Sequence, residues 1–186
     1  MPELLDTFCF VPPRKQTLIL LAAATIALNL VLAWIDERLK RTGGPGIIGL
    51  EFAGSLGRVE EIQAEWGGHG EYLARLSLWI DFAFMTSYGA FFALAGVAVR
   101  DFAASRGLRR LPAVGVVAPA CAVGAALFDV VENAIWLLVL GGHLGDPAPA
   151  IATGCASVKF GLIAVAILYS LAGAIAWLRF RRVRPA

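Results

Sequence analysis

The chain has 186 residues, of which 59% are hydrophobic and only 16% are charged, and its formal net charge is +2. Average soluble domains are about 45–50% apolar and about 25% charged. The apolar residues collect in four long blocks, and the three cysteines include no CxxC pair. These features exclude an ordinary soluble domain, a disordered chain, a collagen-like repeat and a disulfide scaffold.

The first two predicted elements are a membrane span and a long loop. A hydrocarbon core about 30 Å thick needs about 20 apolar residues of helix, and residues 17–35 form such a run without a charge. The following loop, residues 36–76, contains a glycine-rich turn and an apolar patch around Glu51. Apolar residues at helical spacing then predict a short amphipathic helix over residues 55–66, lying on the outer interface of the membrane or across the mouth of the bundle. We expect the loop to be a surface connector; the alternative is a lid that points Glu51 into a cavity.

Three further apolar blocks complete the predicted bundle, and each contains at least one ionisable residue. Residues 77–99 hold Asp81, residues 112–140 hold Asp129 and Glu132, and residues 151–178 hold Lys159. The sequence therefore predicts an all-α polytopic membrane protein. Residues 1–186 form a single transmembrane domain of four helices in an antiparallel bundle.

The basic residues predict how the bundle is oriented. Ten of the 16 lie in the N-terminal tail, the loop between the second and third spans, and the C-terminal tail. In a four-span protein these segments share one side of the bilayer. By the positive-inside rule both termini are cytoplasmic, and we expect a multi-pass protein of the plasma (inner) membrane. Topology explains these arginines, so no nucleic-acid partner is predicted.

The four ionisable residues inside the spans are the strongest indication of function. A charge at the bilayer centre costs at least about 2.5–3.5 kcal/mol on insertion scales, so such residues usually face the bundle interior and have partners. At about 1.5 Å per residue, Asp81 lies roughly 6 Å below the outer surface, Lys159 roughly 12 Å, Glu132 about 13 Å and Asp129 about 18 Å. We therefore expect Lys159 to pair with Glu132 on the neighbouring helix.

Helical spacing predicts that other polar residues share this interior. One stripe of the third span carries Asp129, Glu132, Asn133 and Trp136, and one face of the second carries Asp81 and Tyr88. Asn29, in the middle of the first span, is expected to face the same interior. Three carboxyl groups against one ammonium leave surplus negative charge, which is expensive away from water. We expect one or two of these acids to be protonated at neutral pH, or a cation to be bound.

Three functions remain open on this pattern. The first is a pocket in the outer half of the membrane that binds a lipid or small apolar ligand, or acts on it by acid/base chemistry. In the catalytic version Glu132 or Asp129 is the general acid/base, Lys159 tunes the pair, and the ligand contacts are Asp81, Tyr88, Asn133, Glu51, Asn29 and Trp136. The second is a proton- or cation-coupled half-channel that descends from Asp81 to the midplane. The third is an accessory or scaffold subunit, whose charges either dock a membrane-protein partner or a second copy, or fix the helix bundle itself.

The sequence does not decide whether the chain is an enzyme. It contains no HExxH pair, nucleophile elbow or phosphate-binding loop, and no Cys/His cluster. We therefore predict neither a metal site nor a cofactor.

Overall fold

The computed structural model describes residues 15–108 and 115–182, and within these ranges the regular structure is entirely helical. Within these ranges five helices follow one another: α1 (Lys15–Lys40), α2 (Ile47–Glu51), α3 (Leu56–Ser105), α4 (Val117–Leu140) and α5 (Ala148–Arg182). All except the short α2 are long and apolar enough to cross a membrane. The predicted all-α class is thus confirmed, as is the prediction of four helices that are long and apolar enough to span a membrane.

The helices extend further than the apolar blocks that predicted them. Helix α3 begins 21 residues before the predicted second span and includes the predicted amphipathic helix. Its one non-helical residue is Gly67, with φ 59° and ψ −177°, a backbone conformation essentially confined to glycine. Gly67 divides α3 into a short arm, residues 56–66, and a long arm, residues 68–105. Helix α5 likewise outruns residues 151–178, because hydropathy marks the apolar part of a helix and not its polar ends.

The short arm of α3 is amphipathic, as its spacing predicts, but its apolar side is covered by protein. Val59, Ile62 and Trp66 are buried in the main core together with residues of α1, α4 and α5. The Trp66 indole Nε1 donates a hydrogen bond to the Pro45 carbonyl oxygen at 2.7 Å, which ties this arm to the turn before α2. A helix packed in this way contributes to the protein core, and those three side chains are not available to a lipid surface.

Helix α3 lies at the centre of the packing. It contacts α1, α4 and α5, and α4 also packs along α5. The approach of α3 to α4 is close at Gly89, where an added Cβ would lie 2.9 Å from the Ala126 Cβ. Helix α1 is peripheral, and its fully buried residues are Ile35 and Leu39 near its C-terminal end. This arrangement brings the polar faces of α3, α4 and α5 together.

Candidate functional site

Lys159 on α5 lies at the centre of a group of buried acids. Its Nζ is 2.8 Å from Asp129 Oδ1 and 2.8 Å from Glu132 Oε2 on α4, and 3.3 Å from Glu51 Oε1 at the end of α2. None of these four residues, termed the acid–lysine cluster below, is more than 6% exposed. The predicted pairing of Lys159 with Glu132 is confirmed, and the structure adds two further carboxyl groups to it.

Small residues allow the two helices to bring these side chains into contact. Ala125 on α4 and Ala152 and Ala156 on α5 are fully buried, and small side chains permit close packing of membrane helices. Asp129 and Glu132 are one turn apart, so both reach the same ammonium. The spacing of α4 therefore fixes two acids, and the packing of α5 against it places the lysine between them.

Glu51 reaches the acid–lysine cluster from outside the predicted spans. Asp36 Oδ1 accepts a hydrogen bond from the Ile47 amide at 2.7 Å, and the Thr153 hydroxyl donates one to the Glu51 carbonyl at 2.8 Å. These bonds hold α2 over the cluster, so the expected surface connector is wrong here and the inward-pointing alternative is confirmed for Glu51. Burial raises the pKa of the Glu51 carboxyl above its ordinary value, and the nearby Lys159 charge offsets only part of that rise.

Two more residues that were predicted for the site, Tyr88 and Asn133, donate hydrogen bonds to acids that were also predicted for it. The Tyr88 hydroxyl on α3 donates a hydrogen bond to Asp129 Oδ2 at 2.8 Å. Asn133 Nδ2 donates to Asp81 Oδ2 at 2.7 Å and, at 3.4 Å, to the Leu78 carbonyl. Asp81 makes no ion pair with Lys159 among the described residues. It joins the site through Asn133.

Several buried polar atoms at this site have no hydrogen-bond partner among residues 15–108 and 115–182. They are Glu51 Oε2, both carboxylate oxygens of Glu132, Asn133 Oδ1 and Trp136 Nε1. Glu132 Oε2 contacts the ammonium as an ion pair, but without hydrogen-bond geometry. A buried indole N–H and a buried carboxylate usually have partners. Glu132 and Trp136, one turn apart on α4, therefore carry unused acceptors and an unused donor.

The prediction that Asn29 faces the interior is wrong. Asn29 is exposed on the surface of α1, and the polar contact from α1 to α3 is made one turn earlier, where Thr25 Oγ1 lies 2.9 Å from Ser87 Oγ. Thr25, Ser87 and Thr153 were not predicted as site residues. All three are hydroxyl residues within the predicted spans, a signal that could have been used. Nothing in the sequence marks Thr153 as the partner of a loop carbonyl.

The charge balance of the site is negative. Three carboxyl groups contact one ammonium, so full ionisation would leave two negative charges uncompensated, and Asp81 would add a third. Within the part of the chain that the structure describes, no group of three or more His, Cys, Asp or Glu side chains is arranged to hold a metal ion. The centre of the acid–lysine cluster is instead filled by the Lys159 ammonium. Protonation of some of the carboxyl groups is the simplest way to reduce the surplus negative charge of the site.

Comparison with known proteins provides no family for this chain. No family model, no curated protein and no solved structure matches it. Any functional conclusion therefore depends on the chemistry of the site itself.

Proposed function

We propose that the chain is an integral membrane protein that binds the hydroxyl end of a membrane-soluble alcohol at the acid–lysine cluster, or acts on this alcohol by acid/base chemistry. The observation that carries the proposal is a pair of groups on α4 whose hydrogen-bonding capacity is unused. Glu132 is fully buried with neither oxygen hydrogen-bonded, and one turn further the fully buried Trp136 has an unpartnered N–H. A hydroxyl group both accepts and donates, so a single alcohol oxygen would satisfy the indole donor and a carboxylate acceptor together.

The acids of the cluster outnumber its single ammonium, so one of them can carry the proton that acid/base chemistry requires. Lys159 and the Tyr88 hydroxyl both donate hydrogen bonds to Asp129, so each of its two oxygens has a partner. Glu132 receives no comparable hydrogen bond, so it is the group in the acid–lysine cluster best suited to carry a proton. A protonated carboxylic acid in an apolar site can act as a general acid, and its conjugate base can take the proton back. In this proposal Lys159 positions the acids and sets their charge.

The finer topology that we propose follows from this site. The four spans form an antiparallel bundle with both termini cytoplasmic, and the acid–lysine cluster lies in the outer half, closed on the outer side by α2. Tyr88 belongs to an apolar cluster with Met85 and Ala125, against which Phe84, Phe92 and Ile163 pack. This apolar packing around Tyr88 argues against a continuous proton channel. Exchange with the outer side alone is the arrangement that these residues favour.

A photo-labelling experiment tests the proposed ligand class. The full chain in lipid nanodiscs is illuminated with a diazirine-labelled hexadecanol and, separately, with the matching hexadecane that has no hydroxyl. We expect the alcohol to label peptides of α4 and α5 and the alkane to label them much less. Glu132→Gln and Trp136→Phe should reduce labelling by the alcohol.

The control variant is Glu61→Gln, which changes an exposed acid on the short arm of α3 and should label like the wild type. Equal labelling by the alcohol and the alkane would contradict the proposal. So would undiminished labelling of a folded Glu132→Gln variant, because the acid–lysine cluster would then be a sealed structural ion pair.

A further inference from the structure

Asn29 is a polar side chain near the middle of α1. It is exposed, and it makes no hydrogen bond to any residue in the described ranges 15–108 and 115–182. From its position in α1 it lies about 17 Å from one end of the helix and about 21 Å from the other. A carboxamide at that depth faces hydrocarbon, where nothing replaces the hydrogen bonds that water would make.

Neighbouring residues on the same side of α1 form a seam suited to a second helix. Ala22, Ile26, Asn29 and Ala33 follow at steps of four, three and four residues, the spacing of one helix side. Ile26 is 60% exposed, and Ala33 is exposed as well. The two alanines on either side of Asn29 would let another backbone approach closely. Thr25, which contacts Ser87 on α3, lies about 40° around the helix axis from Asn29, toward α3.

We propose that this seam is the contact surface of a homodimer, with the Asn29 amides of two copies hydrogen-bonded across a two-fold axis. The chemistry of the amide indicates that the partner on this surface is a second copy of the chain. Its NH₂ donates and its oxygen accepts, so it is complementary to itself, and a two-fold axis places identical residues opposite one another. An interhelical amide pair is a well-precedented stabilising contact in membranes. The proposal is independent of the function assigned to the acid–lysine cluster.

Self-association in lipid tests the interface. The full chain, labelled with donor and acceptor dyes, is reconstituted in vesicles and diluted with lipid while energy transfer is recorded. Asn29→Leu should weaken the dimer by roughly tenfold, whereas Asn29→Gln, which keeps the amide, should retain most of the association. Thr25→Val is the control, because it removes a polar group from the side of α1 that faces α3. It should leave the dimer unchanged.

Cysteine cross-linking locates the seam by a second measurement. In a chain whose native cysteines are replaced by alanine, Ala33→Cys should form a disulfide-linked dimer. Ala27→Cys, which is exposed on the far side of α1, should not. A monomeric wild type, association unaffected by Asn29→Leu, or equal cross-linking at both positions would overturn the proposal. A monomeric protein in which Asn29 binds a lipid molecule would also overturn the proposal.

Discussion

Replacing Lys159 by methionine would remove the single positive charge of the acid–lysine cluster while keeping a side chain of similar length. Three carboxyl groups now within 3.3 Å of the ammonium would lose their counter-ion. Breaking a buried ion pair by removing one partner typically costs about 3–5 kcal/mol. We expect Lys159→Met to lower the free energy of unfolding by about 4 kcal/mol at neutral pH.

The surface of the same protein offers a matched control. Arg58 Nη1 and Glu61 Oε2 are also 2.8 Å apart, but their side chains are 45% and 65% exposed. Exposed pairs contribute about 0.2–1 kcal/mol, so Arg58→Met should cost no more than that. The same contact distance would then have very different consequences, because one pair is screened by water and the other is not.

The assay is unfolding in mixed micelles with increasing SDS, followed by tryptophan fluorescence at several pH values. The deficit of Lys159→Met should shrink as the pH falls, because protonation neutralises the acids that have lost their partner. The double variant Lys159→Met/Glu132→Gln should recover at least about 1 kcal/mol, since it removes one of those acids. A deficit equal to that of Arg58→Met, or one that does not change with pH, would refute the electrostatic account.

Three further predictions concern the surroundings of the acid–lysine cluster. Tyr88→Phe leaves Asp129 Oδ2 without its hydrogen bond and should cost about 1–3 kcal/mol in the same unfolding assay. Gly67→Ala should cost about 1–3 kcal/mol through its backbone conformation alone, because an added Cβ meets nothing there. Gly68→Ala meets nothing either and, in helical conformation, should be neutral or stabilising by up to about 1 kcal/mol. Because the folded-state pKa of Glu51 is raised, ionising it opposes folding, so its contribution is favourable at low pH and is lost as pH rises through that pKa. Glu51→Gln should therefore flatten the decline of stability with pH, and an unchanged slope would contradict this.

The helical core of the site was predictable because helices are regular. At a fixed rise per residue, counting from the ends of two apolar blocks placed Lys159 and Glu132 at the same level, and they are in contact. The stripe of acids, Asn133 and Trp136 was predictable for the same reason, since residues three and four apart share a side. All four members of that stripe are buried.

The wrong predictions arose where this regularity gives no information. Residues 36–55 have no sustained hydrophobic period, so the sequence did not indicate the distance between Glu51 and the spans. The position of Glu51 depends instead on the hydrogen bonds that α2 makes with Asp36 and Thr153. Asn29 follows Thr25 by four residues, only about 40° around the helix axis. With few polar residues in that span, the pattern could not show which of the two faces α3. Packing against Ser87 decides it.

Under the proposed function a ligand must enter the enclosed acid–lysine cluster, and Glu51 is the member best placed to admit it. Asp129 and Glu132 are fixed on a long helix and lie 2.8 Å from the ammonium. Glu51 belongs to a five-residue helix, makes the longest of the three contacts, and has a second oxygen without a hydrogen bond. Its backbone is nevertheless anchored, because the Thr153 hydroxyl binds its carbonyl and Leu50 beside it is fully buried. Rotation of the Glu51 side chain would therefore open the acid–lysine cluster at its weakest ion contact without unfolding α2. The same rotation would leave Lys159 compensated by the two acids of α4.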